Sequence, residues 1–233
     1  MSIAEDAVDF LKAHRDELIV RFADPRAYPP MDDPFTIFMA GSPGAGKTEF
    51  SEGLVKSLAR RKPSIQCVRI DADEIKKMLP QYTGSNSNEV QGASALGVQK
   101  LYDYCLKERQ NILLDGTFAD DKYCIEDVAR SIKRKRKIGI IYIYQEPEVA
   151  WKFTQIREKE EGRYLPKEAF IEAFFAAREN ANRVKEMFKK DVELFLIEKD
   201  WSNKSVKKTR FNIDNIDNHI VCPYTKDQLR KSL

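Results

Sequence analysis

The chain has 233 residues, 42% of them hydrophobic and 33% charged, with a formal net charge of +3. That length suits one α/β domain with additions, the charge gives no argument for nucleic acid, and the absence of an 18-residue apolar stretch excludes a helical membrane span. The N-terminal Met1-Ser2-Ile3-Ala4-Glu5-Asp6 lacks the apolar core of a leader, so a cytoplasmic protein is expected. Cys67, Cys105, Cys124 and Cys222 form no CxxC pair, and His14 and His219 are the two histidines. They leave no zinc pattern and read as free thiols.

Ser2-x-x-Glu5 has the form of a capping box, and Ala7, Leu11, Leu18 and Phe22 follow at helical spacing. Together they predict one helix over residues 3–22. Pro25, Pro29, Pro30 and Pro34 then interrupt the chain, so residues 1–34 read as an N-terminal addition and linker. A core over 35–200 and a C-terminal extension over 201–233, packed on that core, complete the organisation. The core opens with the apolar, β-prone run Phe35–Ala40, followed by Gly41-Ser42-Pro43-Gly44-Ala45-Gly46-Lys47-Thr48 and a helix to about Arg60. A strand at 67–70 leads through Asp71-Ala72-Asp73-Glu74 into a short helix that stops at Pro80. After a polar loop at 81–88 come a helix at 89–109 and a strand at 111–115, ending in Gly116-Thr117. A helix at 122–134, a strand at 138–144, helices at 146–160 and 167–190, and a strand at 192–197 finish the core. The alternation predicts an α/β fold, a doubly wound, mostly parallel five-stranded sheet flanked by helices. Beyond it, a strand is expected at 210–213 and a helix from Thr225. The five cations at 133–137 read as the solvated last turn of a helix, and Phe170, Phe174 and Phe175 as core.

The run Gly41 to Thr48 is a complete Walker A loop in the strand–loop–helix setting that the motif requires. Gly41, Gly44 and Gly46, with Ser42, Pro43 and Ala45, let backbone N–H groups turn inward around a β-phosphate, and the helix N-terminus adds its dipole. Lys47 is placed to reach the β- and γ-phosphates, Thr48 to help hold Mg²⁺, and Glu49 completes the nucleotide-contacting set.

In open α/β sheets the site lies beyond the carboxyl ends of the strands, which is where Asp71, Asp73 and Asp115-Gly116-Thr117 fall. One of Asp71 and Asp73 can orient an acceptor hydroxyl and take its proton, while the other caps the following helix, alternation pointing only one of them inward. Asp115 closes an apolar strand in the manner of a Walker B element, binding Mg²⁺ through water or contacting the acceptor. Arg157 and Arg163 bracket a turn between two helices, as lid arginines driven onto a transferring phosphate or as partners of neighbouring glutamates. Arg178 and Arg183 on the next helix read as solvent-facing.

The ordered set of Walker A, Ile70-Asp71-Ala72-Asp73 with Pro80, Asp115-Gly116-Thr117, Arg157 and Arg163-x-x-Pro166-Lys167 resembles the zeta toxin family over about residues 35–197. The resemblance implies a P-loop NTPase fold with a helical lid at about 157–166, and an ATP- and Mg²⁺-dependent kinase. It would transfer the γ-phosphate to a sugar hydroxyl of a nucleotide-activated sugar, UDP-N-acetylglucosamine being the family's studied acceptor. Carried over, Asp73 is the general base, Lys47, Arg157 and Arg163 are catalytic, Thr48 and Asp115 face the metal, and Asp115 and Thr117 face the acceptor. Gln99 stands where family members carry a substrate-binding glutamate, and Ala119 where they carry a basic residue. A separate antitoxin chain is the implied protein partner. Two other readings are a kinase of a different acceptor (dinucleotide, nucleoside, antibiotic or polynucleotide end) and an NTP-gated switch. The switch lacks a guanine-reading N/T-K-x-D element, since Asn203-Lys204 is followed by Val206.

Overall fold

The structure, a computed structural model, describes residues 2–162, 164–200 and 205–233. Six strands form one sheet: β1 (Phe35–Ala40), β2 (Val68–Asp71), β3 (Ile112–Asp115), β4 (Lys137–Tyr144), β5 (Glu193–Asp200) and β6 (Ser205–Arg210). Their order is β2-β3-β1-β4-β5-β6, with the first five parallel. The helices are α1 (Ile3–Ala13), α2 (Arg15–Ala23), α3 (Lys47–Ala59), α4 (Ala72–Lys76), α5 (Gln91–Lys107), α6 (Asp121–Lys133), α7 (Pro147–Glu161), α8 (Lys167–Phe188) and α9 (Lys226–Ser232). This is the doubly wound, mostly parallel sheet expected, with a sixth strand added. β6 runs antiparallel to β5, across a bulge at Glu198/Lys199, and lies upstream of the strand predicted at 210–213. Its sequence, Ser-Val-Lys-Lys-Thr-Arg, carries no alternating apolar signal. Lysines on such an edge instead discourage pairing with another chain.

The sheet is buried on both faces. Phe38, Ile70, Ile112, Ile140, Tyr142 and Leu196 pack with α1, α2, α5, α6 and α8 on one side. Met39, Leu113, Ile141, Ile143 and Ile197 pack with Leu54 and Leu58 of α3 on the other. Phe170, Phe174 and Phe175 of α8 are buried as expected.

The single helix predicted at 3–22 is instead two, broken at His14, whose ring stacks on Phe10 at 3.9 Å and meets the Phe10 carbonyl at 2.8 Å. Both halves pack on α5, and Ala7, Leu11 and Leu18 are fully buried. In the basic run at 133–137, Lys133, Arg134, Lys135 and Lys137 are exposed as expected, and Arg136 is the exception. Arg136 is buried, donating from Nε to Thr36 Oγ1 at 2.7 Å and from Nη2 to the Phe35 and Gln110 carbonyls. Lys137 pairs with Asp33. Arg136 therefore ties the segment after α6 to β1, with burial pulling its guanidinium down to about 10. Arg183 faces solvent as expected, paired with Asp121 at 2.5 Å, whereas Arg178 is partly buried and pairs with Asp217 at 3.3 Å. The four cysteines are free. Among the described residues no helix is long and apolar enough to cross a membrane.

Candidate active site

The carboxyl ends of β1, β3 and β2 open into a cavity of about 420 Å³. The loop from β1 to α3 forms one wall. Gly41 has φ +137° and Gly44 φ +73°, and a Cβ on either would lie 2.4 Å from the Ile143 carbonyl oxygen or 2.1 Å from that of Ala150. Only glycine fits, because the backbone itself presses against its neighbours. Gly46, in the left-handed region, precedes α3, whose first turn carries N–H groups with no intrahelical partner. Lys47 folds back over the loop, donating from Nζ to the Gly41 and Ser42 carbonyls at 3.0 and 2.7 Å. Burial pulls its ammonium down to about 8, with Asp115 pulling the other way. A polyphosphate supplies the negative charge that such a buried cation lacks. Ser42 and Ala45 are buried in the loop, and Pro43, Gly44, Gly46, Lys47 and Thr48 line the cavity.

The opposite wall is acidic, but its carboxylates differ. Asp71 accepts from the Asp73 N–H at 2.8 Å, capping α4, and pairs with Arg69. Burial pushes its carboxyl above the usual range and Arg69 pulls it back. Asp115 accepts at Oδ2 from Ser51 Oγ at 2.6 Å and from Arg69 Nε at 3.0 Å and Nη2 at 2.7 Å. Asp73 is the more accessible, its side chain 34% exposed, with Lys76 Nζ 3.4 Å from Oδ1. Both Asp71 and Asp73 line the cavity, because Asp73 sits on the first turn of α4 rather than on the strand, so alternation does not separate them.

Thr48 and Asp115 line this cavity with oxygen atoms of the kind Mg²⁺ takes, Asp115 Oδ2 already accepting from Ser51 and Arg69. Among the described residues no cluster of three or more His, Cys, Asp or Glu could hold a metal by itself. A Mg²⁺ ion here would therefore be completed by phosphate oxygens and water, as that ion prefers.

Arg157 enters from α7 and lines the cavity, with Nη2 3.6 Å from Glu49 Oε1. Glu49 thereby links α7 to the first turn of α3. Arg163 lies outside the described residues. Thr117 lines the cavity and its carbonyl accepts from the Gly41 N–H at 3.1 Å, joining the phosphate loop to the end of β3. Phe118 follows with φ +60°, a strained conformation for a bulky residue, and Asn180 of α8 donates to its carbonyl at 3.1 Å.

Gln99 does not line this cavity. It lies in a second, more apolar one of about 620 Å³ that shares Ala72, Gln91, Asp115, Gly116 and Thr117 with the first. Its amide is held by Asp127 and Arg130 of α6.

Three groups escaped sequence reasoning. Arg69 bridges Asp71 and Asp115, and its alternate position on a short strand gave no sign of that. Lys76, with a side chain 6% exposed, joins Asp73 to Ser87 Oγ at 2.8 Å. The i,i+3 spacing from Asp73 was its available signal. Asp127 was hidden in an amphipathic helix.

A zeta toxin family model matches residues 21–211. No curated protein matches the chain in sequence. Among solved structures, a chain from the PezAT chromosomal toxin–antitoxin system of Streptococcus pneumoniae superposes with a TM-score of 0.63 at 16% identity, over 97% of this chain and 86% of that one. The AvrRxo1-ORF1:AvrRxo1-ORF2 complex with ATP gives 0.64 at 14% identity, over 92% of this chain and 70% of that one. At such identities these likenesses show the fold alone, that of a P-loop NTPase.

Proposed function

Because the chain belongs to the zeta toxin family, we propose that it transfers the γ-phosphate of ATP to a sugar hydroxyl of a nucleotide-activated sugar, with UDP-N-acetylglucosamine the first acceptor to test. One observation carries this reading: Lys47 on the phosphate loop, the accessible Asp73 and the lid residue Arg157 converge on one cavity from three separate elements. A nucleotide-binding module needs the first; phosphoryl transfer needs all three.

The loop N–H groups and Lys47 hold the β- and γ-phosphates at the helix N-terminus. Asp73 orients the acceptor hydroxyl and takes its proton as the oxygen attacks phosphorus. Lys76 and Asp71 fix that carboxylate, through its side chain and its backbone N–H respectively. Arg157 brings positive charge to the equatorial oxygens, a contribution worth ~10³–10⁵ in rate for such arginines, and the family resemblance assigns the same role to Arg163. Thr48 and Asp115 would hold a Mg²⁺ ion, which would neutralise phosphate charge. A separate antitoxin chain is the protein partner we infer, in keeping with the toxin–antitoxin complexes among the structural neighbours.

Incubating the protein with Mg–ATP and a panel of UDP-sugars, dinucleotides and nucleosides, read by mass spectrometry, tests the reaction. We expect a singly phosphorylated nucleotide sugar. Lys47→Ala should lose at least ~10² in turnover, through lost phosphate contacts. Unchanged turnover would remove the phosphate loop from the mechanism.

A further inference from the structure

A third cavity, of about 500 Å³, opens at the opposite edge of the sheet, at the amino ends of β1, β4 and β5. β1 runs between the two edges. Phe35 and Ile37 line this cavity, and the phosphate loop follows Ala40, ~17 Å further on at the ordinary rise of a strand. The walls are apolar, with Phe35, Ile37, Ile138 and Phe195, and the Phe195 ring crowds the space that a side chain on Gly139 would take. Four cations, Lys135, Arg136, Lys137 and Lys190, share the lining with two carboxylates, Asp191 and Glu193. The volume is in the range of small-molecule sites.

Arg136 separates this cavity from an ordinary basic surface. It is 6% exposed, and Thr36 and two carbonyls take its Nε and Nη2 donors, but Nη1 is buried with no hydrogen-bond partner among the described residues. Among those residues no carboxylate pairs with it either. The ionisable groups acting most strongly on it are Tyr102, Cys105 and Cys67, uncharged at neutral pH, and Arg109, another cation. A buried guanidinium without a counter-charge is costly, and an anion held in the adjoining cavity offsets that cost across a wall of low dielectric. Lys137 is already held by Asp33, and Asp191 and Glu193 are exposed to water. Lys135 and Lys190 are exposed and have no carboxylate partner among the described residues, so they are the rim cations available to an anion. The apolar walls select further: a bare hydrated ion would shed water against Phe35 and Phe195, whereas an aromatic ring packs on them.

We propose that this cavity is a second ligand site, at the far edge of the sheet from the phosphate loop, for a small anion carried on an aromatic ring. Arg136 supplies the fixed charge, Lys135 and Lys190 meet the anionic group at the rim, and Phe35 and Phe195 pack against the ring. Aryl phosphates and aryl carboxylates share this chemistry. The site stands whether or not the protein is a kinase.

Titrating the ¹⁵N-labelled full chain with phenyl phosphate, benzoate, inorganic phosphate and benzyl alcohol tests it. The amide signals of Ile132, Gly139 and Phe195 read this site separately from the phosphate loop. At least one aromatic anion should shift them and bind ~10-fold or more tighter than inorganic phosphate or benzyl alcohol, the scale of a hydrogen bond to a charged group. The stronger of the two tells a phosphate ester from a carboxylate. Lys135→Glu combined with Lys190→Glu, both on exposed positions, should weaken that binding at least ~10-fold. The same charge change at Lys207 and Lys231, exposed on β6 and α9, should leave it intact. Melting temperatures confirm that both variants fold. Absence of a shift with either aromatic anion, shifts confined to Gly41–Thr48, or equal binding of inorganic phosphate or benzyl alcohol would overturn the proposal. So would undiminished binding by the Lys135/Lys190 variant.

Discussion

Burial holds the Asp127 carboxyl up to about 6, against an ordinary 3.8, with the Gln99 amide opposing the shift and Glu126 adding to it. The ionisable groups around it include Arg130, Glu126 and Cys124 on its own helix, and Tyr102 and Asp103 on α5. The folded chain binds this proton more tightly than the unfolded one. The group's contribution to stability is therefore full below about pH 3.8 and is lost as the pH rises through about 6. Asp127→Asn removes the buried charge and leaves Arg130 its Asp103 partner. It should raise the melting temperature at pH 7.5 by a few degrees, on the order of 1–3 kcal/mol, with the gain vanishing near pH 4. A variant less stable than its parent at both pH values would mean that the Arg130 pair outweighs desolvation. At this scale the sequence exposes residues whose spacing is itself the chemistry, such as the loop from Gly41 to Thr48. Arg69, Lys76 and Asp127 act through neighbours supplied by other elements, which no spacing records.

At the scale of elements, α1 and α2 are the main surprise. Apolar spacing marks a helix over 3–22, but the turn at His14 and the docking of both halves on α5 depend on shapes that exist only in the fold. Leu11 and Leu18 are fully buried, so this segment is part of the core that carries α5, and α5 in turn supplies Gln91 and Gln99 to the two cavities. Leu11→Ala should cost about 2–5 kcal/mol, the range for emptying a packed leucine site. Urea unfolding checks this, and a change under ~0.5 kcal/mol would show that α1 is dispensable to the core. The parallel strands were legible because each is a short apolar run between breakers. β6 was misplaced because an edge strand rich in lysine reads as loop.

For the whole molecule, the fold divides the work by element. On the proposed reading β1 and α3 hold the donor phosphates, α4 brings the base and α7 brings Arg157 to the same cavity, while α5 and α6 line the second cavity. The parallel sheet and its switch point beside β1 put these parts on one edge, which is why the site's location, though not its second cavity, follows from strand order. The central claim is that Asp73 is the base of this phosphoryl transfer. The most direct measurement is the transfer rate from Mg–ATP to UDP-N-acetylglucosamine for the unaltered protein, Asp73→Asn and Asp71→Asn, with ATP affinity measured on the same samples. The account predicts that the unaltered protein forms product and that Asp73→Asn binds ATP normally but transfers at least ~10²-fold more slowly. Asp71→Asn, which keeps an acceptor oxygen for the α4 cap, should lose less. Transfer by Asp73→Asn at the unaltered rate, or a loss confined to Asp71→Asn, would contradict it.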